Sequence, residues 1–315
     1  MSIAVHEPLA LATQSGISVS SAMPEKRFAF GRKVARILNN QNDLAFAPSA
    51  FAVKDLERIG EGRQAELFVW PAGGVLKLFR KPNLAPARSE ADMMHLLVPV
   101  GLPMPGLLDT VMVEERPGIV MERLIGPDQL SILGRKPWTV LRVGTTLGHL
   151  HATLHAAVAP QGLRSLKPSM QTEIADSDLV PLNIKSLALG DLDRLPDGNA
   201  ICHWDFHPGN VIETKAGPKI IDWPNVHCGD RLADVTRTLL ILQGGALPPG
   251  APFIVRTLTT FGRSILSRQY IKAYHRQLPF EPRKLDAWRR VSLTSRLSYG
   301  LPEEREQLLR LIAKL

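Results

Sequence analysis

Eight residues in the middle of the chain, His203-Trp204-Asp205-Phe206-His207-Pro208-Gly209-Asn210, place a carboxylate, a primary amide and two imidazoles in one short stretch. A second carboxylate, Asp222, follows twelve residues later. Asp205 is the kind of group that takes a proton from a hydroxyl, and the amide oxygen of Asn210 with the carboxylate of Asp222 offers hard oxygen ligands to Mg2+. The chemistry is activation of a hydroxyl beside a divalent cation. A rival reading, a zinc site from Cys202, His203, His207, His227 and Cys228, lacks the Cys-x-x-Cys or His-x-x-x-His spacing that such sites favour.

The flanking sequence predicts how these groups meet. Ala200-Ile201-Cys202 reads as a short apolar strand entering the stretch, Val211-Ile212 as one leaving it, and Ala216-Gly217-Pro218 as the turn that returns the chain through Lys219-Ile220-Ile221 to Asp222. A hairpin of this kind brings the residue before its first strand and the end of its second to one edge. Asn210 and Asp222 can then share one cation.

Upstream, Val53 to Gly60, Ala65 to Trp70 and Val75 to Phe79 read as three antiparallel strands, followed by Leu107 to Val113 and Gly118 to Glu122. The first turn, Gly60-x-Gly62-x-x-Ala65, lets backbone amides approach phosphates, although a hairpin turn without a ligand looks the same. Lys77 sits between apolar neighbours on a strand and needs an anionic partner if buried. Glu90, in a helix expected from about Ala87 to Val98, is the candidate, and the pair is of the kind that positions the α- and β-phosphates of a nucleotide. The competing reading has Lys77 pointing out of an edge strand. Backbone groups at Glu122 and Leu124 lie where an adenine edge could bond, just before the break at Gly126-Pro127; ordinary strand termination gives the same pattern.

Beyond that break the pattern turns helical. Val140 to Val158 puts Val143, Leu147, Leu150, Leu154 and Val158 on one face, and His151 and His155, four apart, read as helix histidines because no third metal ligand stands at a telling spacing. Residues 160 to 199 read as irregular. Three helices close the chain: Phe253 to Gln277, Pro282 to Ser298 and Pro302 to Lys314. Before residue 50, a Ser- and Ala-rich leader without periodicity precedes a basic amphipathic helix from Glu25 to Asn40.

Composition bounds the rest. With 315 residues and 44% hydrophobic content the chain can bury a sizeable core. No apolar run is long enough to span a bilayer, Met1 to Glu7 lacks a secretory pattern, and two cysteines suit a reducing cytoplasm. The net charge of +8 is confined to the last fifth: residues 251 to 315 carry 13 Lys and Arg against 5 Asp and Glu, and the first 250 residues balance at 25 each. No nucleic-acid motif accompanies that excess, which reads as solvated faces on surface helices; any anionic partner should meet that end of the chain, and nucleic acid is not the expected one.

Taken in order, Gly60-x-Gly62, Lys77, Glu90, His203-x-Asp205-x-x-x-x-Asn210 and Asp222 resemble the protein-kinase-like superfamily. His-x-Asp-x-His-Pro-x-Asn followed by Gly229-Asp230-x-x-x-Asp234, with the helix Leu147-Gly148-x-Leu150-His151-x-x-Leu154-His155, resembles its aminoglycoside phosphotransferase and choline kinase branch over residues 53 to 240. The resemblance implies an α+β, two-lobed kinase-like fold: a small antiparallel-sheet lobe at 51–124 and a mainly helical catalytic and substrate lobe at 125–315. It implies ATP or GTP as co-substrate, Mg2+ on Asn210 and Asp222, Asp205 as base, His203 and Asp234 bracing the loop, and Gly60, Gly62, Lys77, Glu90, Glu122 and Leu124 around the nucleotide. The acceptor implied is a small-molecule hydroxyl, neutral or anionic given the basic end of the chain. The alternative is a non-catalytic module binding nucleotide or an anionic partner through that basic region.

Overall fold

The computed structural model describes residues 44–244 and 253–315; the leader and the Glu25 to Asn40 helix lie outside the described residues. A six-stranded sheet comes first, built from β1 (Ala47–Pro48), β2 (Arg58–Glu61), β3 (Ala65–Trp70), β4 (Gly74–Phe79), β5 (Leu107–Val113) and β6 (Arg116–Glu122) in the order β1-β5-β6-β4-β3-β2. All pairings are antiparallel except the two-residue edge contact of β1 with β5. Strand β4 shows why the sheet has two different faces. Leu76 and Leu78 are fully buried in an outer cluster with Phe68, Val111, Val113 and Val120, and the period of two turns Lys77 to the opposite side. That side packs on helix α1 (Leu84–Leu97) through Ala87, Ala91, Met94 and Leu97. Since β4 pairs with both β3 and β6, Lys77 stands on a central strand, which removes the edge-strand reading.

One expected strand is shorter than its pattern. Val53–Asp55 forms a 3-10 turn, and only Arg58–Glu61 joins the sheet. The Val53 N–H is held by the Glu114 carboxylate at 3.0 Å, and Val53 and Leu56 pack beneath the outer cluster. The apolar side chains of this segment thus cover the sheet rather than extend it.

The chain leaves the sheet through Gly126, whose φ of +156° suits glycine and whose Cβ position would lie 1.8 Å from the Glu213 carbonyl oxygen. Helices α2 (Gln129–Arg135) and α3 (Val140–Ala156) follow. Residues 160 to 199 are not irregular: they hold α4 (Leu166–Asp176) and α5 (Leu182–Arg194). Their buried stripes are narrow, Leu166, Met170 and Ile174 on one and Ala188 with Leu192 on the other, so periodicity is faint. Pro168 lies in the first turn of α4 and Pro181 immediately precedes α5, so these prolines mark helix starts.

Two short two-stranded sheets carry the chemical residues, the second a hairpin enclosed in sequence by the first. β7 (Ala200–Cys202) pairs with β10 (His227–Gly229), and β8 (Val211–Thr214) pairs with β9 (Gly217–Ile220). Helix α6 (Arg231–Gln243) and the long α7 (Phe253–Gln277) precede α8 (Pro282–Ala287), α9 (Arg289–Ser298) and α10 (Pro302–Ile312). The helix expected across Pro282 to Ser298 is broken at Trp288, which is buried and whose indole N–H donates to Asp230 Oδ2 at 3.2 Å. No helix of the described residues is long and apolar enough to cross a membrane.

Helices α3 and α7 approach closely at Gly144 and Gly148. A Cβ at Gly148 would lie 2.5 Å from the Tyr270 carbonyl oxygen and 2.6 Å from Ala273 Cβ, so only glycine permits the contact. Substituting Gly148→Val should therefore force the helices apart and destabilise the protein by about 3 kcal/mol, the upper end of overpacking effects. Urea unfolding of the two proteins measures it; an unchanged midpoint would show that the helices do not depend on this contact.

Candidate active site

A triad of charges joins the sheet to the helical part. Lys77 Nζ on β4 lies 2.8 Å from each Glu90 oxygen on α1 and 2.9 Å from Asp222 Oδ1, just past β9. Burial by itself drives the lysine pKa down, but Asp222 and Glu90 override it and hold Lys77 cationic with a raised pKa. The Lys77 charge in turn keeps Asp222 below the usual carboxylate range, whereas burial raises that of Glu90. Asp222 itself has φ of +69°, a left-handed conformation uncommon outside glycine.

The loop after β7 is held by a single carboxylate. Asp234, fully buried on α6, accepts the N–H of His203 at 2.5 Å on Oδ2 and that of Trp204 at 3.0 Å on Oδ1. Two successive amides can face one carboxylate because Trp204 takes a left-handed φ of +65°. His203 is buried with both ring nitrogens in use: Nε2–H donates to the Ile221 carbonyl at 3.0 Å, and Nδ1 accepts the Asp205 N–H at 3.3 Å. His203 therefore fixes the loop and does not present an imidazole to a reacting atom. The Asp205 side chain keeps about a third of its surface, with Oδ2 3.9 Å from His207 Nε2.

Asn210 closes the loop. Its Nδ2 donates to the Asp205 carbonyl at 2.9 Å, which orients the amide and turns Oδ1 the other way. The Ile221 N–H donates to the Asn210 carbonyl at 3.0 Å, so the β8/β9 register places Asn210 beside the residue that precedes Asp222. An amide oxygen just before β8 and an ionised carboxylate just past β9 are ligands of the kind that a hard divalent cation such as Mg2+ takes.

His151 and His155 have the third partner that their spacing concealed, because it lies about 80 residues away. Both Nε2 atoms reach Asp234 Oδ2, at 3.1 and 3.3 Å, while the Nδ1 atoms meet Tyr270 Oη at 2.7 Å and Tyr274 Oη at 2.8 Å. The two imidazoles and the carboxylate are near enough to surround a metal ion. Asp234 is, however, already saturated by four N–H groups, and both Nδ1 atoms have tyrosine hydroxyls. The cluster is a hydrogen-bonded core. Burial lowers the pKa of His151 and brings that of His155 down to about 4, so both are neutral near pH 7.

The glycine turn and the connector are placed as follows. Gly60 lies within β2 opposite Leu67, and the Gly62 N–H is spent inside the turn on the Ala65 carbonyl at 2.7 Å. Glu122 ends β6 with its N–H on the Gly106 carbonyl at 2.8 Å and its carboxylate near Lys219, and Leu124 lies two residues beyond. Sequence reasoning passed over Arg237, Tyr299 and Glu173, which gather on the far side of Trp204. A lone arginine in the apolar run Val235-Thr236-Arg237-Thr238-Leu239-Leu240 was the available signal.

The family model described as "Phosphotransferase enzyme family" matches residues 55–288. No curated protein matches the sequence. Among solved structures, an amicoumacin kinase in complex with AMP-PNP, Ca2+ and Ami is similar at 12% identity and a TM-score of 0.57, covering 92% of this chain and 95% of that one. A streptomycin–ATP complex of an aminoglycoside phosphotransferase is similar at 14% identity and 0.52, covering 94% and 98%. A choline/ethanolamine kinase family protein from Mesorhizobium loti is similar at 17% and 0.50, covering 82% and 86%. The shared two-lobed fold matches the expected fold class.

The buried histidines set a pH limit. With folded pKa values below 6.5, His151 and His155 exclude protons that the unfolded chain binds, so stability falls as pH drops from about 6.5 towards 4. Each excluded proton contributes a slope of about 1.4 kcal/mol per pH unit. Calorimetry across this range should show the melting temperature falling, and His155→Gln should flatten the decline; a variant as steep as the wild type would exclude His155 as a source.

Proposed function

The chain belongs to the phosphotransferase enzyme family, and from that premise we propose that it transfers the γ-phosphoryl group of ATP or GTP to a hydroxyl of a neutral or anionic small metabolite or sugar. The observation that carries the reading is Lys77 bound at once to Glu90 and Asp222, a cation anchored between the sheet and the loop beside Asn210. Residues 51–124 form the nucleotide lobe and residues 125–315 the catalytic and acceptor lobe. Gly60, Gly62, Glu122 and Leu124 border the nucleotide. Solved relatives that hold ATP, or AMP-PNP with Ca2+, support this co-substrate.

Phosphoryl transfer asks a protein mainly for positioning and charge neutralisation. Lys77, held cationic, faces the α- and β-phosphates. Asn210 and Asp222 would hold Mg2+, which when bound neutralises charge on the transferring phosphoryl group. Asp205, partly open to solvent and steadied from its backbone by His203 and Asn210, accepts the proton of the acceptor hydroxyl.

The acceptor class rests on charge. In the basic last fifth, Arg268, Lys272 and Arg276 lie on the exposed face of α7, whereas Arg290 and Arg296 are paired with Asp191 and Glu304. The excess therefore acts at long range, favouring the approach of anionic compounds over polycations. One solved relative is a complex with streptomycin and ATP; the charge here argues for a different acceptor.

Asp222→Ala should abolish Mg2+-dependent ADP or GDP formation across a panel of hydroxyl metabolites while the protein still folds. Asp205→Asn should lower kcat by about 1000-fold with little change in nucleotide KM. Retained turnover in Asp222→Ala would sink the assignment.

A further inference from the structure

The loop that carries Asp205 is gripped from two sides by one helix. Asp234 on α6 holds the backbone N–H of Trp204, and one turn further along the same helix Arg237 lies against its ring. Residues three apart share a helix face, so the carboxylate and the guanidinium reach the same tryptophan. The guanidinium carbon lies over both rings, 4.9 Å from the Trp204 ring centre and 4.5 Å from that of Tyr299, within the range for cation–π contact with each.

Arg237 is under-paired for its depth. It is 1% exposed, yet among the described residues its side chain has one long hydrogen bond, from Nη1 to Ser295 Oγ at 3.4 Å, and Nε meets no acceptor. Among the described residues, no carboxylate forms an ion pair with it. Glu173 is reached only indirectly, through the hydroxyls of Ser295 at 2.8 Å and Tyr299 at 3.3 Å. A buried cation with so few acceptors is unfavourable for the fold taken alone. What it supplies is a flat, charged plate between two rings, one of them on the residue whose left-handed backbone aims Asp205.

We propose that Arg237 is a positioning residue for phosphoryl transfer: stacked between Trp204 and Tyr299, it keeps Trp204 at its left-handed φ and so fixes the direction of Asp205. The role in transfer rests on the function proposed above, whereas the effect on the loop does not. Lysine is no substitute, since it has no plane to stack on two rings. Methionine fills similar space without the charge, so Arg237→Met removes the stack without leaving a cavity or an unpaired cation.

The test uses the full chain as wild type, Arg237→Met and Arg237→Lys, with four readouts: melting temperature, hydrogen exchange over residues 203–206, the thermal shift given by Mg2+ and AMP-PNP, and Mg2+·ATP turnover with water as acceptor. Arg237→Met should melt no lower than the wild type, and its 203–206 amides should exchange at least about tenfold faster. Turnover should fall about 100-fold, the scale of a small misplacement of a catalytic group, with the AMP-PNP shift retained. Arg237→Lys, which keeps the charge but not the plane, should show the same faster exchange at 203–206 and the same loss of turnover. Unchanged exchange at 203–206 overturns the proposal, as does faster exchange with undiminished turnover. A variant that loses stability and protection throughout the helical part also overturns it, because Arg237 would then be merely structural. A wild type without AMP-PNP shift or turnover refutes the proposed function instead, and the exchange result alone then decides the role of Arg237 on the loop.

Discussion

The buried carboxylate of Asp234 is the constraint on which the helical part depends. An ionised carboxylate at zero exposure is tolerable only when its oxygens are filled, and here four N–H groups fill them, two from the backbone of His203 and Trp204 and two from imidazoles. Each donor belongs to a different structural task. The backbone amides define the loop that aims Asp205, while the imidazoles tie α3 to α6 and, through their other nitrogens, to the tyrosines of α7. Burial alone would raise the Asp234 pKa, but the His151 and His155 imidazoles override it and hold that pKa well below the usual carboxylate range, while burial keeps the histidines neutral. The charge state of the core and the geometry of the loop are one problem with one solution.

Lys77 plays the corresponding part between the sheet and the helical part. Glu90 belongs to the helix packed on the sheet, Asp222 to the hairpin below, and the ammonium holds both. Removing Asp222 would leave Lys77 its two bonds to Glu90, which limits the cost to the fold, whereas removing Glu90 would leave the largely buried cation with Asp222 alone. The approach of the two parts is thereby linked to the chemistry of the site: the group that would meet phosphates is also the one that fixes where Asp222 stands.

Much of this was legible in the residues themselves. Lys77 was identifiable because an ammonium among apolar strand neighbours needs a partner, and Glu90 was the acid available on the following helix. The β8/β9 hairpin followed from its turn, and its register sets Asn210 beside Ile221, the residue before Asp222. What escaped detection depends on contacts distant in sequence. Nothing local to His151 and His155 announces Asp234, and nothing local to Arg237 announces Tyr299. Helices α4 and α5 were passed over because each buries so narrow a stripe that its prolines, which mark helix starts, looked like irregularity.

The two aspartates of the site are linked to unusual backbone in different ways. Asp222 itself is left-handed, and for Asp205 it is the preceding residue, Trp204. Such conformations cost on the order of 1–3 kcal/mol and persist only where surrounding contacts over-determine them. For Trp204 those contacts are Asp234 on its amide and Arg237 and burial on its ring; for Asp222 they are Lys77 on its side chain and the backbone bond from Ile221 to Asn210 just before it. The strain thus sits where direction matters, and the helices around it supply the packing that holds it there. That arrangement also accounts for the depth at which Arg237, Asp234 and the two histidines lie: groups that must hold a strained loop still are most effective where water cannot compete for their hydrogen bonds.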